Sequence, residues 1–429
     1  MTEAASDFQD SAAGDLDEPA ARDTDEPAAS EPEVVWLLEP AGGLPPVVVD
    51  EAGLARLAAR LAAGHGPVAV DAERASGYRY SARAYLVQLR RAGAGSSLID
   101  PAAVADLRVI DGALADAEWV LHAANQDLAC LAEVGMRPRA LFDTELASRL
   151  LGYPRVALGT MVEQLLGVRL EKGHSAADWS TRPLPESWLT YAALDVELLV
   201  PLRDVLERQL ADAGKLDWAH QEFAAVMVSA LIAPVPRVEP WRRLSGIHKL
   251  RSPRQLAAAR ALWDARDAQA RNRDVAPGRV LPDTAILGAV LAAPPSRGEL
   301  AALPVFSGPR QRRLAGIWYA ALHEAGSLAD GELPRMATGT GDGPPPVSRW
   351  AERDPVAAAR LIRVRAALTA LADQHAVPVE NLLEPALSRR LAWGPPAGSS
   401  IEHALFDGGA RPWQVQLTAA PLSAALIDP

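Results

Sequence analysis

At 429 residues the chain is too long for one compact domain, and at roughly 100–200 residues per domain it predicts about two to four units. With 49% hydrophobic and 23% charged residues it can build packed cores, which excludes a wholly disordered protein. The net charge of −11 speaks against a nucleic-acid partner only as a sum: residues 1–36 hold 11 acidic side chains against Arg22 alone, whereas residues 235–322 hold 15 Lys/Arg against six Asp/Glu.

Taken in chain order, residues 1–36 are mostly Ala, Asp, Glu and Pro, too poor in large apolar side chains to offset the entropy of ordering, and are expected to be a disordered acidic tail. Such an opening is not the basic-then-apolar pattern of a secretory signal. From residue 67 onward short apolar runs bounded by turn residues predict strands: PVAVDAE (67–73), AYLVQLRR (84–91), SSLID (96–100) and WVLHAA (119–124). Helical periods at 51–63, 126–134, 144–151, 158–166, 185–213 and 218–232 alternate with and follow them, giving an α/β domain over 37–234. The run APVPRVEPW (233–241) reads as a linker, residues 241–322 then show only helical periodicity, and the helical domain is bounded at 235–325. Residues 326–348 contain five glycines and four prolines and form a second linker, after which another helical unit spans 349–429. No stretch of 18 apolar residues lacks a charge, so no transmembrane helix is expected. A lone cysteine, Cys130, allows neither an internal disulfide nor a Cys-rich zinc site and fits a reducing compartment, so the protein is expected to be cytoplasmic.

Three short patterns carry acidic chemistry. In VAVDAERAS, Asp71 and Glu73 stand two apart at the end of an apolar strand, which places both on one face; a solvated strand end has the same pattern. In LHAANQDLACL, Asp127 follows a later strand at the start of a helix, where capping alone explains an aspartate. In WLTYAALDVELLVPL, Tyr191 and Asp195 share one face of an apolar helix, and an acid so close to buried surface requires a partner.

In this order the three patterns resemble the exonuclease signature of the DEDD superfamily in its tyrosine-bearing subgroup, and within it the ribonuclease D family. Supporting matches lie in AYLVQLRR, in SLIDP, in LFDTELASRLLG (141–152) and in GVRLEKGHSAADWSTRPLPESWLTYAALDVELL (167–199), so that the resemblance runs through about residues 65–215. It implies a ribonuclease H-like α/β domain, a mixed sheet flanked by helices, with Asp71, Glu73, Asp127 and Asp195 as metal ligands and Tyr191 beside them as a catalytic residue. Such a site has a physical rationale. Two carboxylates about 4 Å apart repel by roughly 4 kcal/mol at an effective dielectric near 20, so four of them need compensating cations. Hard oxygen donors suit Mg²⁺ or Mn²⁺, and two such ions about 3.5–4 Å apart serve in-line attack on phosphorus. The phenol pKa, ordinarily near 10, favours Tyr191 as an orienting group over a base. Where the other subgroup carries histidine this chain has Thr190.

Arg74 departs from the family, which often has an aromatic residue there; its guanidinium suits phosphate contact or stacking. His122 and Gln126 beside Asp127 are candidates for the terminal sugar or phosphate, and equally for a supporting or core role. His174 and Asp178 fall in the loop before the last motif, Asp143 is expected to cap a helix outside the site, and Cys130 to be inert core.

Residues 240–303 resemble the HRDC domain, with RDxxAR (266–271) and VLPD (280–283) as its recognisable parts, and the family uses this module in nucleic-acid binding. The excess of positive charge gives that role a basis in counterion release, with Arg242, Arg243, Lys249, Arg251, Arg254, Arg271 and Arg273 as candidates; a solvated cationic face is the alternative. The final unit is similar to a second, more divergent HRDC-like module, for which packing onto the nuclease and RNA contact are both open. The resemblance thus implies a metal-dependent 3′-to-5′ exoribonuclease, expected to act as a monomer and without a membrane partner. It would release nucleoside 5′-monophosphates from single-stranded RNA 3′ ends, with precursor tRNA as the family's substrate. A DNA 3′ exonuclease of the same fold and a catalytically silent nucleic-acid scaffold are the rival readings.

Overall fold

The computed structural model of the protein describes residues 35–171, 173–174, 176–232, 237–336, 343–396 and 400–427. Most of the expected acidic tail and the middle of the second linker lie outside the described residues. The boundary expected after residue 36 falls inside an element. An apolar run there forms strand β1 (Val35–Leu37), which pairs in parallel with β8 (Val168–Leu170).

The other strands are β2 (Val47–Val48), β3 (His65–Arg74), β4 (Ala84–Ala92), β5 (Gly95–Ile99), β6 (Glu118–Leu121) and β7 (Ala140–Asp143). They form a six-stranded mixed sheet in the order β2-β5-β4-β3-β6-β7, in which β3, β4 and β5 are antiparallel neighbours and β3, β6 and β7 run parallel. Helices cover the central strands, which is why β3 and β4 are apolar on both faces except where chemistry or an ion pair intervenes. Val68, Val70, Leu86, Val87 and Leu89 are fully buried there.

The long helix expected over 185–213 is two helices, Glu186–Glu197 and Leu199–Asp212, joined at Leu198. Pro201 explains the break, because its ring clashes with the carbonyl four residues back, that of Glu197. The first of these helices packs over β3, β4 and β5 and the second over β3 and β6, so both press on the strand that carries Asp71 and Glu73.

Two helical units follow. In the first, helices that include Pro253–Arg273, Asp283–Ala292 and Pro309–Ser327 enclose Leu262, Ile286, Leu300, Phe306 and Trp318. Ser252 and Ser296 cap two of its helices by accepting the amides of Gln255 and Glu299. The second unit, built on Pro355–His375 and Pro412–Leu426, is packed onto the α/β domain. Trp413 stacks on Trp218 with ring centroids 4.8 Å apart, and its Nε1 donates to buried Glu222 at 2.8 Å. Among the described residues no helix is long and apolar enough to cross a membrane.

Candidate active site

The pleat of β3 directs Asp71 and Glu73 to the same face, and the register with β4 sets Asp71 opposite Gln88 and Glu73 opposite Leu86. Gln88 is fully buried and its Nε2 donates to an oxygen of Asp71 at 2.9 Å. Asp127 arrives after β6 through a sharp turn in which Ala123 adopts φ +61°. The turn is held by Asp143, whose carboxylate accepts the amides of Ala123 at 3.0 Å and Ala124 at 2.8 Å while also capping helix Thr144–Leu150. Asp195 and Tyr191 come from one face of helix Glu186–Glu197. The segment before that helix is anchored by Arg182, which binds Asp100 through two hydrogen bonds of 2.7 Å.

These elements bring the acids together. One oxygen from each of Asp71, Glu73 and Asp195 lies within 4.8 Å of the others, and the Arg74 guanidinium sits 3.5 Å from Asp127 at their edge. All five motif residues line one cleft of about 570 Å³, together with Arg74, His122 and Gln126. Burial is the main cause of the shifted acidities, with mutual repulsion added to it. Burial first, then the charges of Asp71, Asp195 and Asp127, pushes Glu73 up to about 10. Asp127 is pushed up to about 8 by burial and then by Asp71, against the pull of Arg74. Asp71 and Asp195 are raised too, chiefly by burial. The Tyr191 phenol is raised above its ordinary value by burial and then by Asp195 and Glu73, so it keeps its proton at neutral pH. Its hydroxyl and the Asp195 carboxyl influence each other's acidity across one helical turn. Clustered carboxyls whose ionised forms are disfavoured by burial and by one another, with Arg74 as the nearby cation among the described residues, form a site short of positive charge, and an all-oxygen donor set fits a hard divalent cation.

The remaining candidates separate. His122 borders the cleft, but its Nδ1 is 2.9 Å from Thr144 Oγ1 and burial lowers its pKa to about 4, which leaves it neutral. Gln126 is exposed at the rim. Among the seven basic candidates, Arg242, Arg254 and Arg271 form ion pairs with Glu239, Asp330 and Asp267. Arg243, Lys249, Arg251 and Arg273 are exposed with no ion pair among the described residues. His174 meets the edge of the Tyr191 ring at 5.8 Å, Asp178 binds Ser180, and Cys130 is buried, its thiol pushed up to about 12 chiefly by burial. Two supporting residues do not stand out in the sequence: Gln88, and Asp143 in its hold on the turn. A glutamine inside an apolar strand is the only signal for the first; the second depends on a contact across 20 residues.

Residues 45–211 match the family described as 3′-5′ exonuclease, residues 255–322 the HRDC domain, and residues 343–426 the 3′ to 5′ exonuclease C-terminal domain. Ribonuclease D of Acidiphilium cryptum is 31% identical over 318 residues, which cover 72% of this chain and 80% of that protein. Ribonuclease D of Escherichia coli is 32% identical over 272 residues, 62% of this chain and 72% of its own. A crystal structure of a protein from Bifidobacterium adolescentis superposes with a TM-score of 0.86 at 37% identity, covering 92% of this chain and 100% of that one. Escherichia coli RNase D, an exoribonuclease involved in structured RNA processing, gives a TM-score of 0.65 at 26% identity over 89% of this chain and 98% of its own.

Proposed function

Since the chain belongs to the ribonuclease D family, and is thereby a 3′-5′ exoribonuclease, we propose that Asp71, Glu73, Asp127 and Asp195 hold two divalent ions, Mg²⁺ or Mn²⁺, and that RNA 3′ ends are removed as nucleoside 5′-monophosphates. The observation that carries this reading is the convergence of three carboxylates within 4.8 Å, with Asp127 on the wall of the same cleft. Bound there, two such ions would polarise the scissile phosphate and activate water for in-line attack.

The chain's own residues supply orientation and exclusion. Tyr191 retains its proton beside Asp195, so its hydroxyl acts by orienting the attacking water through a hydrogen bond rather than by removing a proton. Gln88 fixes one oxygen of Asp71, which is the part outer partners of ligands play. Arg74, about a quarter exposed, lines the cleft beside Asp127, which supports its contact with a phosphate oxygen of the terminal nucleotide. A cleft of 570 Å³ falls in the range of about 300–1,000 Å³ typical of small-ligand pockets, which suits an unpaired terminal nucleotide better than a base-paired end. Precursor tRNA, action as a single chain and a cytoplasmic setting complete the proposal.

The test is a 5′-labelled single-stranded RNA incubated with the purified protein in Mg²⁺ or Mn²⁺ and in EDTA, beside a DNA of the same sequence. Stepwise shortening from the 3′ end with release of 5′-monophosphates, stopped by EDTA and slower on DNA, is expected. Hydrolysis that persists in EDTA would contradict the metal reading, and faster degradation of DNA would favour the DNA exonuclease.

A further inference from the structure

Strand β4 contains one residue more than β3 can pair. Glu73 faces Leu86 and Arg74 faces Ala84, so Tyr85 is left over as a β-bulge directly opposite the end of the motif strand. Bulges beside active sites bend a strand and re-aim its side chains. Here the residues directly across from the bulge are Glu73, inside the acidic cluster, and Arg74, 3.5 Å from Asp127.

The bulge is not held by the nuclease alone. The Tyr85 hydroxyl donates to Asp274 of the first helical unit at 3.3 Å, and the other oxygen of Asp274 accepts the amide of Ser81 at 2.8 Å. Arg279 donates to the carbonyl of Gly77 at 2.8 Å and lies 3.9 Å over the Tyr78 ring, while the Ala276 amide donates to the Tyr78 carbonyl at 2.9 Å. Gly77, Tyr78 and Ser81, in the connection between Arg74 and β4, are thus fastened to the helical unit. The contacts are directional hydrogen bonds, which fix position more narrowly than apolar packing. They leave exposed a different set of groups, Arg243, Lys249 and Arg251.

The geometry points to a second role for the HRDC unit: through Asp274 and Arg279 it sets the bulge at Tyr85 and thereby the positions of Glu73 and Arg74, so that the catalytic cleft is complete only when this unit is docked. Asp274 and Arg279 are positioning residues, and the inference rests on the reading of Asp71 and Glu73 as metal ligands.

The experiment compares the full-length protein with Asp274→Ala, Arg279→Ala and Asp274→Asn. It measures Mn²⁺ affinity by titration calorimetry without RNA, and kcat and KM on a trinucleotide RNA. A unit that only tethers long RNA would leave both readouts untouched. Loss of outer support for ligands typically weakens metal binding about 10–100-fold, and about a tenfold loss of Mn²⁺ affinity with a comparable fall in kcat, larger than any change in KM, is expected for both alanine variants. Asp274→Asn keeps an oxygen for the Ser81 amide and should recover most of the loss. Wild-type Mn²⁺ affinity and trinucleotide turnover in both alanine variants would overturn this inference alone; a wild-type protein that binds no Mn²⁺ would overturn it together with the metal assignment. If Asp274→Ala fails to fold, Arg279→Ala and Tyr85→Phe decide by the same criteria.

Discussion

In the metal-free protein Glu73 and Asp127 bind protons far more tightly than carboxyls in an unfolded chain, with values near 10 and 8 in place of 4.5 and 3.8. A raised acid pKa means that the folded state holds the extra proton between the unfolded and folded values, so stability falls as pH rises through that window. The melting temperature of EDTA-treated protein is therefore expected to drop from pH 5 to pH 9, less steeply in Asp127→Asn, and Mn²⁺ should restore it most at the alkaline end. A wild-type profile no steeper than that of the variant would contradict the electrostatic strain. Asp71→Asn and Asp195→Asn should each lower kcat by more than about a hundredfold while melting no lower than wild type, because each removes a repelling charge; full activity in either purified variant would refute its place in the site. Tyr191→Phe removes only the hydroxyl beside Asp195. It should reduce kcat with little change in RNA affinity, and the reverse pattern would assign the tyrosine to binding.

Elements differ in how plainly the sequence announces them. Runs as long as AYLVQLRR declare β4 by composition, and Asp-x-Glu at the end of β3 can be placed on one face from the strand period alone. Val47–Val48, Ala140–Asp143 and Val168–Leu170 are too short for periodicity, and their pairing depends on partners far along the chain. The same distance hides Gln88, whose importance is a matter of cross-strand register, and the bulge at Tyr85, which no local pattern reveals. Order and spacing of the acids are legible; what aims them is not. Asp143 belongs to this second class, holding the turn before Asp127 and the next helix with one carboxylate. Asp143→Ala should cost about 3 kcal/mol through the missing cap and the buried amides left unpaired, and should also lower activity; a urea midpoint close to wild type would show that the turn holds itself.

Across the whole molecule, charge is segregated: an acidic stretch at residues 1–36, and an excess of basic groups at 235–322. Part of that excess is consumed internally, since Arg242, Arg254 and Arg271 pair with acids and Arg279 grips the nuclease. Arg243, Lys249, Arg251 and Arg273 remain exposed without an ion pair among the described residues, and under the proposed function the first three are candidates for phosphate. Replacing these three by glutamine should flatten the dependence of log affinity on log salt by about two to three, near one for each cation withdrawn from a phosphate, with trinucleotide turnover unchanged; an unaltered slope would make them a solvated surface. The final unit packs onto the nuclease, through Trp413 and Arg411 on Glu222. The proposed function rests on one cleft, and anomalous scattering from crystals of the protein soaked in Mn²⁺ tests it most directly. Two peaks about 3.5–4 Å apart, ligated by Asp71, Glu73, Asp127 and Asp195, are expected, and a cleft without peaks at saturating Mn²⁺ would contradict the assignment of these carboxylates.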